Sequence, residues 1–306
     1  MRQALERSRQ RFSEVVVDAD PRRSALAIGR SLLAAAQVLT ILFSSDAALF
    51  AGTPEFPSGM RCTDFHAVSL WCALGPADTG MVVGRAVAII VLIAVVAGYR
   101  PRWTCAPHWY VAFSLTAMPM PNGGDSAGQI GAMLLIPICL GDSRTWHWSR
   151  PEHPLAPQWR GASLTALWAL RGQLCVIYAS TAITKVGDPM WRQGSAMRVV
   201  ADHPDYGFRS LLGPVGEPVF RSFPAVAALS WGVIAAQLLI AVTVLGSRRW
   251  RTVALVVGCL LHLAILVLMN LAGFATVMIA LLVMAWTATP SRHAFRPRAA
   301  EGGRES

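Results

Sequence analysis

The chain has 306 residues, of which 54% are hydrophobic and only 14% are charged, and its mean hydropathy is +0.45. Soluble globular domains carry charge on about a quarter of their residues, so this composition excludes an ordinary soluble domain and indicates a protein embedded in a lipid bilayer. The formal net charge is +10, and its origin lies in how the arginines are distributed along the chain.

Eight apolar segments follow one another and are predicted to form an all-α, polytopic membrane helix bundle, because a spanning helix needs about 20 apolar residues. They cover residues 25–43, 81–98, 104–120, 126–141, 163–184, 224–246, 252–271 and 273–290. The third segment is crowded by Pro107, Pro119 and Pro121, and the fourth is short. These two are expected to be tilted, partly re-entrant or shielded by other helices.

The cationic residues alternate between the two predicted sides of the membrane. Of the 27 Lys and Arg residues, 18 fall in the terminal segments and in every second loop, six in the intervening loops and three within apolar segments. Because basic loops stay in the cytoplasm, the membrane domain (24–290) is predicted to have a cytoplasmic N-terminal segment (1–23) and a cytoplasmic polar tail (291–306). Orientation in the plasma membrane then explains the net charge, and no nucleic-acid partner is needed.

The N-terminal polar stretch and the cysteines agree with this topology. The first apolar segment begins beyond residue 20, which favours an uncleaved signal anchor over a removable signal peptide. Cys62 and Cys72 both fall in the first outer loop, and a disulfide between them is predicted; two unpaired thiols are the alternative. No spacing typical of a zinc site or of haem attachment is present, so no metal site is predicted.

The fifth apolar segment carries a polar stripe that ends in the only lysine of the chain. Arg171, Tyr178 and Lys185 are spaced by seven residues, nearly two helical turns, so they share one helix face. A lysine, unlike an arginine, can lose its proton when it is desolvated, which makes Lys185 the candidate for chemistry. The alternative is a face that hydrogen-bonds to neighbouring helices while Lys185 extends to the interface.

Other polar groups within or beside the apolar segments are further candidates, because each is costly in hydrocarbon unless it has a partner. Arg30 either locks helices together or extends to the cytoplasmic side. His262, near the middle of the seventh segment, is either a satisfied core histidine or a proton-handling group in a cavity. Asp125 either caps the fourth helix or serves as a carboxylate partner for Arg85 or Lys185.

The longest outer connection covers residues 185–223 and contains Trp191. An interfacial helix around residues 191–200 is expected to lie over the bundle as a lid. A plain surface loop is the alternative.

The segment YASTAITKVGDPMWRQGSA, residues 178–196, resembles the signature of the HTTM domain, the membrane part of vitamin K-dependent gamma-carboxylase. That signature has a tyrosine-bearing helix that ends in lysine, then a short gap, a tryptophan, a glycine and a small residue. The supporting matches are Gly29-Arg30-Ser31, a glycine-rich turn before the fourth segment, Leu261-His262-Leu263 and Gly273-Phe274. The resemblance covers residues 20–290, and within that family the chain is most similar to the bacterial sporulation-delaying protein B group.

The resemblance implies a role for Lys185 as a base. It matches the lysine that is thought to deprotonate vitamin K hydroquinone in the carboxylase, with one extra residue before Trp191. A lysine can do so only if desolvation or a nearby cation lowers its pKa, and Arg192, Arg198 or Arg85 are candidates for that cation. The large lumenal domain of the carboxylase has no counterpart in this sequence, so glutamate carboxylation is not predicted.

Two functional hypotheses follow. In the first, a periplasm-facing cavity lined by Arg171, Tyr178, Lys185 and His262 handles a quinone or acts on an exported peptide, as the resemblance implies for toxin maturation. A separately encoded outer subunit is then an expected partner. In the second, the chain is a non-catalytic membrane subunit or a transport-related protein, and Lys185 forms an interfacial ion pair. A lysine-to-arginine replacement separates the two, because arginine keeps the charge but cannot act as a base.

Overall fold

A computed structural model describes residues 20–75, 78–118, 125–203, 207 and 218–287 of the chain. The helices are, in chain order, α1 Ser24–Phe43, α2 Asp46–Leu49, α3 Leu70–Leu74, α4 Asp78–Ala97, α5 Pro101–Leu115, α6 Asp125–Cys139, α7 Pro157–Gly187, α8 Pro189–Arg192, α9 Ala196–Ala201, α10 Phe223–Thr243, α11 Arg248–Met269 and α12 Ala272–Trp286. A short 3-10 helix covers Asp64–Val68. Each of the eight predicted apolar segments corresponds to one helix of at least 15 residues.

The fold is an all-α membrane helix bundle, as predicted. Within the described ranges the only extended pairing is an isolated bridge between Tyr99 and Trp146. Residues 1–19 and 291–306, which make up most of the predicted terminal segments, lie outside the described residues.

Five of the helices, α1, α4, α7, α10 and α11, are long and apolar enough to cross a membrane. The third and fourth predicted segments, α5 and α6, have 15 residues each, in agreement with the expectation that these two are short. A helix of that length extends about 22 Å, less than the ~30 Å hydrocarbon core. The last helix, α12, also has 15 residues and ends at Trp286, and predicted positions 288–290 lie outside the described ranges.

Local sequence explains where several helices begin and end. Proline stands in the first turn of α5, α7 and α10, where its missing N–H leaves no hydrogen bond unmade. The α11 helix ends at Met269 and is followed by Asn270, whose φ of 54° is left-handed, a conformation that asparagine tolerates better than most residues. This tight turn allows α12 to start only two residues later and to run back along α11.

The bundle packs around α1. Leu33 and Ala34 on this helix are completely buried, and Gly29 lies so close to α12 that a β-carbon would meet the side chain of Met284 and the carbonyl oxygen of Ala280, the latter at 2.8 Å. The outer helices instead expose large apolar side chains, and α4, α10 and α11 are among them. Helices that are apolar on their outer faces are typical of contact with lipid.

The contacts between loops define two ends of the bundle. At one end, Arg22 donates to the carbonyl of His153 at 2.7 Å, Arg100 N donates to Thr145 O at 2.7 Å, and the Trp286 indole donates to Thr252. The segments joined in this way are those with the predicted inner, arginine-rich loops. At the other end, residues 44–75 fold over α4 and α5. The cytoplasmic location of the arginine-rich end stays a prediction.

The predicted disulfide between Cys62 and Cys72 is present in this outer segment, with the two Cα atoms 5.6 Å apart. It links the stretch before the 3-10 helix to α3. The same segment is anchored on the bundle by Trp71, which is 2% exposed, and by a hydrogen bond from Leu70 N to the Ser114 hydroxyl.

Candidate functional site

Lys185 stands in the last turn of α7, where the chain reverses direction. Asp188 is followed by proline, and a residue before proline avoids the helical conformation; its φ and ψ are −81° and 128°. The Asp188 carboxylate then accepts a 2.7 Å hydrogen bond from Met190 N and so caps the short α8 helix. This sharp turn carries Trp191 back over the lysine, with Nζ 5.1 Å from the ring centroid.

An open pocket of about 340 Å³ surrounds the lysine and is lined by Ser180, Thr181, Thr184, Lys185, Asp188 and Trp191. The ammonium group contacts the Thr181 carbonyl at 3.5 Å, the outer limit of a hydrogen bond, and forms no ion pair with the part of the chain that the structure describes. The pocket therefore combines an amine, a carboxylate, hydroxyl groups and an aromatic face, and its amine is available to a ligand.

The three polar residues of the α7 stripe, Arg171, Tyr178 and Lys185, have separate surroundings and do not share one cavity. Tyr178 is buried and its hydroxyl is hydrogen-bonded to Nε2 of His262 at 2.7 Å. The His262 ring also packs edge-on against Phe274, and its Nδ1 is buried without a partner. Neither Tyr178 nor His262 lines the pocket around Lys185. The structure thus brings the predicted Tyr178 and His262 together, but places them one or more helical turns below the lysine.

Arg171 is buried between α7 and the C-terminal end of α12. Its Nε donates to the Ala285 carbonyl at 3.0 Å and Nη2 donates to the Thr287 carbonyl at 2.9 Å. These are carbonyls that the end of a helix leaves unpaired, and a cation there is favoured by the helix dipole. Its contacts match the sequence alternative in which the stripe hydrogen-bonds to a neighbouring helix.

Arg30 lies in a buried polar cluster at the arginine-rich end. Nη1 donates to Nδ1 of His147 at 3.0 Å, and Nη2 donates to the Thr104 hydroxyl at 2.6 Å. Ser31 completes the cluster by contacting Nε2 of His147 at 3.3 Å. Burial, reinforced by Arg30 and Arg144, lowers the pKa of His147 to about 3, so the ring is neutral and its Nδ1 accepts the hydrogen bond from Arg30.

Sequence reasoning missed His147, Thr104 and the buried pair His108 and Gln37, in which Nε2 donates to Oε1 at 3.0 Å. His108 and Gln37 are polar residues inside predicted apolar segments, and that signal was sufficient to single them out. His147 stands in a loop, where a histidine is unremarkable, so only its contact with Arg30 reveals it.

The remaining predicted residues lie at the outer end. Asp125 is the first residue of α6, where a negative charge is favoured by the helix dipole. Arg85 pairs with Asp46 at 2.7 Å and also donates to the carbonyls of Ile41 and Ser44. The glycine-rich turn before α6 lies outside the described residues.

The expected interfacial helix around residues 191–200 is instead divided into α8 and α9. Gly194, with φ of 77°, separates the two and lies against Ala227 of α10, where a β-carbon would come within 2.7 Å. Met197 N donates to the Ser230 hydroxyl at 3.2 Å. The close approach needs a left-handed glycine, which interrupts a continuous helix, and it ties the segment after Trp191 to the bundle.

Two proteins of Bacillus subtilis (strain 168) are similar to nearly the whole chain. The uncharacterized protein YitO is 28% identical over 269 residues, which are 87% of this chain and 85% of YitO. The sporulation-delaying protein SdpB is 25% identical over 271 residues, 87% of this chain and 81% of SdpB. No family model matches the chain, and no solved structure matches it. This distant homology supports a relationship to an SdpB-like group of multi-pass membrane proteins.

Proposed function

We propose that this SdpB-like protein binds a segment of an exported peptide in the pocket around Lys185 and that the lysine amine acts as a base on that substrate. The observation that carries the proposal is the pocket itself. The only lysine of the chain is presented there beside an aromatic face, with no ion-pair partner in the described residues to occupy it.

The chemistry of the pocket fits a peptide better than a purely apolar ligand. Its hydroxyl groups and the Asp188 carboxylate can bind backbone amides, while Trp191 offers a surface for an apolar side chain. The pocket belongs to the end of α7 that faces away from the arginine-rich loops, which is the periplasmic side if the predicted orientation holds. An exported peptide has access to that side.

The proposal extends to a quinone as the molecule on which Lys185 acts, as the HTTM resemblance implies. The resemblance of residues 178–196 to the HTTM signature supports lysine-base chemistry, and the described pocket has room for a substituted ring stacked on Trp191. In a quinone-dependent reaction Lys185 would accept the proton of the reduced ring, and the substituted ring would be held by the indole.

The test compares the full-length protein with Lys185→Arg and Lys185→Met in its own host. Co-purifying peptides and quinones are identified by mass spectrometry, and the secreted peptides are profiled in parallel. We expect a mature secreted peptide in the wild type and its unprocessed precursor in both variants, because neither arginine nor methionine accepts a proton at neutral pH. Arg192→Lys, on exposed α8 outside the pocket lining, is the matched control and should behave as the wild type.

Unchanged peptide profiles in a normally expressed Lys185→Arg variant would exclude the base role. If Lys185→Arg keeps both the co-purifying peptide and the wild-type profile of secreted peptides while Lys185→Met loses both, the pocket binds through charge alone. That second outcome identifies the alternative function, a non-catalytic membrane subunit that holds a peptide or a partner protein. The interhelical hydrogen bonds of Arg171 and Tyr178 favour this alternative, since both residues already have internal partners.

A further inference from the structure

A cluster of arginines lies at the end of the bundle opposite to Lys185, where α7, α11 and α12 meet. Arg171 donates to the carbonyl oxygens of Ala285 and Thr287, and the guanidinium of Arg248 lies over the ring of Trp286, the residue between these two. Arg251 follows in the same first turn of α11, beside Thr252, whose hydroxyl accepts from the Trp286 indole. None of the three forms an ion pair with a described residue. Like charges that are partly desolvated repel strongly, so this arrangement is unfavourable unless an anion joins it.

The neutral contacts of the cluster hold the arginines in place without neutralising them. The Arg171 guanidinium stacks on Trp168 at 5.0 Å, and that of Arg248 lies over Trp286 at 4.9 Å. Arg251 donates to the Gly246 carbonyl at 2.9 Å, while its Nε is buried and has no partner. The guanidinium groups are thus fixed in position, and at least one buried donor is unused.

The start of α11 adds to the positive potential. Arg248 and Arg251 stand in its first turn, which contains no acidic residue, and Ser247 makes no side-chain capping hydrogen bond. The positive end of the helix dipole therefore coincides with cationic side chains, the reverse of the favoured placement. An anion that accepts hydrogen bonds from guanidinium groups would correct this.

The surroundings of the cluster are apolar and open to the outside of the bundle. Trp168 is 47% exposed and Trp250 is 56% exposed, as expected for indoles at the boundary between headgroups and acyl chains. A ligand at this position has to combine an anionic group with an apolar tail. We propose that Arg248 and Arg251 bind the headgroup phosphate of an anionic phospholipid, while the charge of the buried Arg171 adds to the positive potential of the site.

The test measures lipid retention by the purified full-length protein with native mass spectrometry after incubation with phosphatidylglycerol or phosphatidylcholine. We expect preferential retention of phosphatidylglycerol, because the choline ammonium is repelled by the arginines. Arg248→Gln and the double variant Arg248→Gln/Arg251→Gln should weaken phosphatidylglycerol binding by about fivefold and about tenfold. The exposed Arg102, whose guanidinium lies over Trp103 at the same end, supplies the control Arg102→Gln, which should bind as the wild type.

Equal lipid retention by the wild type and Arg248→Gln would overturn the site, as would an equal loss in Arg102→Gln. The single variant decides the matter even if the double variant does not fold, because the Arg248 side chain is exposed. Free glycerol phosphate is the third arm. If it displaces the lipid at equal concentration, the site binds a soluble phosphate and the lipid assignment is wrong.

Discussion

At the residue scale, the buried polar groups of this protein are matched by specific partners. His147 shows the physical principle most directly, because it is a titratable ring held between two cations, Arg30 and Arg144. Its Nδ1 has to be unprotonated to accept from Arg30. The hydrogen bond that joins the loop to α1 therefore depends on a neutral imidazole.

The stability of the protein should fall in acid because of His147. The unfolded ring titrates near its usual pKa of about 6.5, while the folded ring has a pKa of about 3. The unfolded state therefore binds more protons between these values, and stability decreases as the pH is lowered through that window, by at most about 1.4 kcal/mol per pH unit.

Thermal unfolding in detergent between pH 7.5 and 4, followed by tryptophan fluorescence, checks this expectation for His147. The control is His147→Asn, which keeps a hydrogen-bond acceptor but does not titrate. Its unfolding temperature should depend less steeply on pH than that of the wild type. Parallel profiles for the two proteins would show that carboxylates elsewhere cause the whole effect.

At the scale of elements, the order and type of the helices were predictable, whereas their contacts were not. Continuous apolar runs identify spanning helices whatever their neighbours are. The packing of α1 against α12 joins the first and last of the long helices in the described residues, and it depends on the missing side chain of Gly29. In the sequence Gly29 is one of 25 glycines, and although it belongs to the Gly29-Arg30-Ser31 match, that match does not indicate a packing role.

Two substitutions of glycine by alanine test this packing. Gly29→Ala should destabilise the protein by about 1–3 kcal/mol, because the new methyl group overlaps Met284 and the backbone of α12. Gly172→Ala in the middle of α7 meets no atom within 4 Å and should be neutral or stabilising by up to about 1 kcal/mol, since alanine favours helix. Thermal unfolding of both variants in the same detergent measures the difference.

If Gly29→Ala unfolds at the wild-type temperature while Gly172→Ala is destabilised, the close approach of α1 and α12 is incorrect. Equal small effects in both variants would mean that α12 shifts outward to accept the methyl group.

At the scale of the whole molecule, the distribution of arginines among the loops and the hydrogen bonds between those loops define the same end of the bundle. The loops that carry most of the arginines are joined by hydrogen bonds at one end of the bundle, and the disulfide-linked segment covers the other end. A membrane potential and the cost of moving arginine across lipid would orient such a molecule with its arginine-rich end inside. The disulfide then faces an oxidising compartment.

Reporter fusions in a bacterial host test this orientation. Alkaline phosphatase joined after Asp202, beyond α9, should be active because it is exported, and the same enzyme joined after Ser247, before α11, should be inactive. Green fluorescent protein at the C-terminus should fluoresce, as it does when it folds in the cytoplasm. The opposite pattern in all three fusions would reverse the predicted sides and would place the Lys185 pocket in the cytoplasm.

The membrane class, the order of the long helices in the described residues and the disulfide between Cys62 and Cys72 were all predictable from the sequence. The cytoplasmic location of the arginine-rich loops stays a prediction. Each of these depends on properties that are local in the chain, namely apolar run length, charge and short spacing. Which polar groups meet became visible from the helix packing alone. Tyr178 and His262 are separated by 84 residues, and Arg30 and His147 by 117. Such contacts arise from helix packing, where the cost of an unpaired polar group in a buried site selects the partner. Arg171 and Tyr178 are paired in this way with other helices, whereas Lys185, on the same face of α7, lines an open pocket at the helix end.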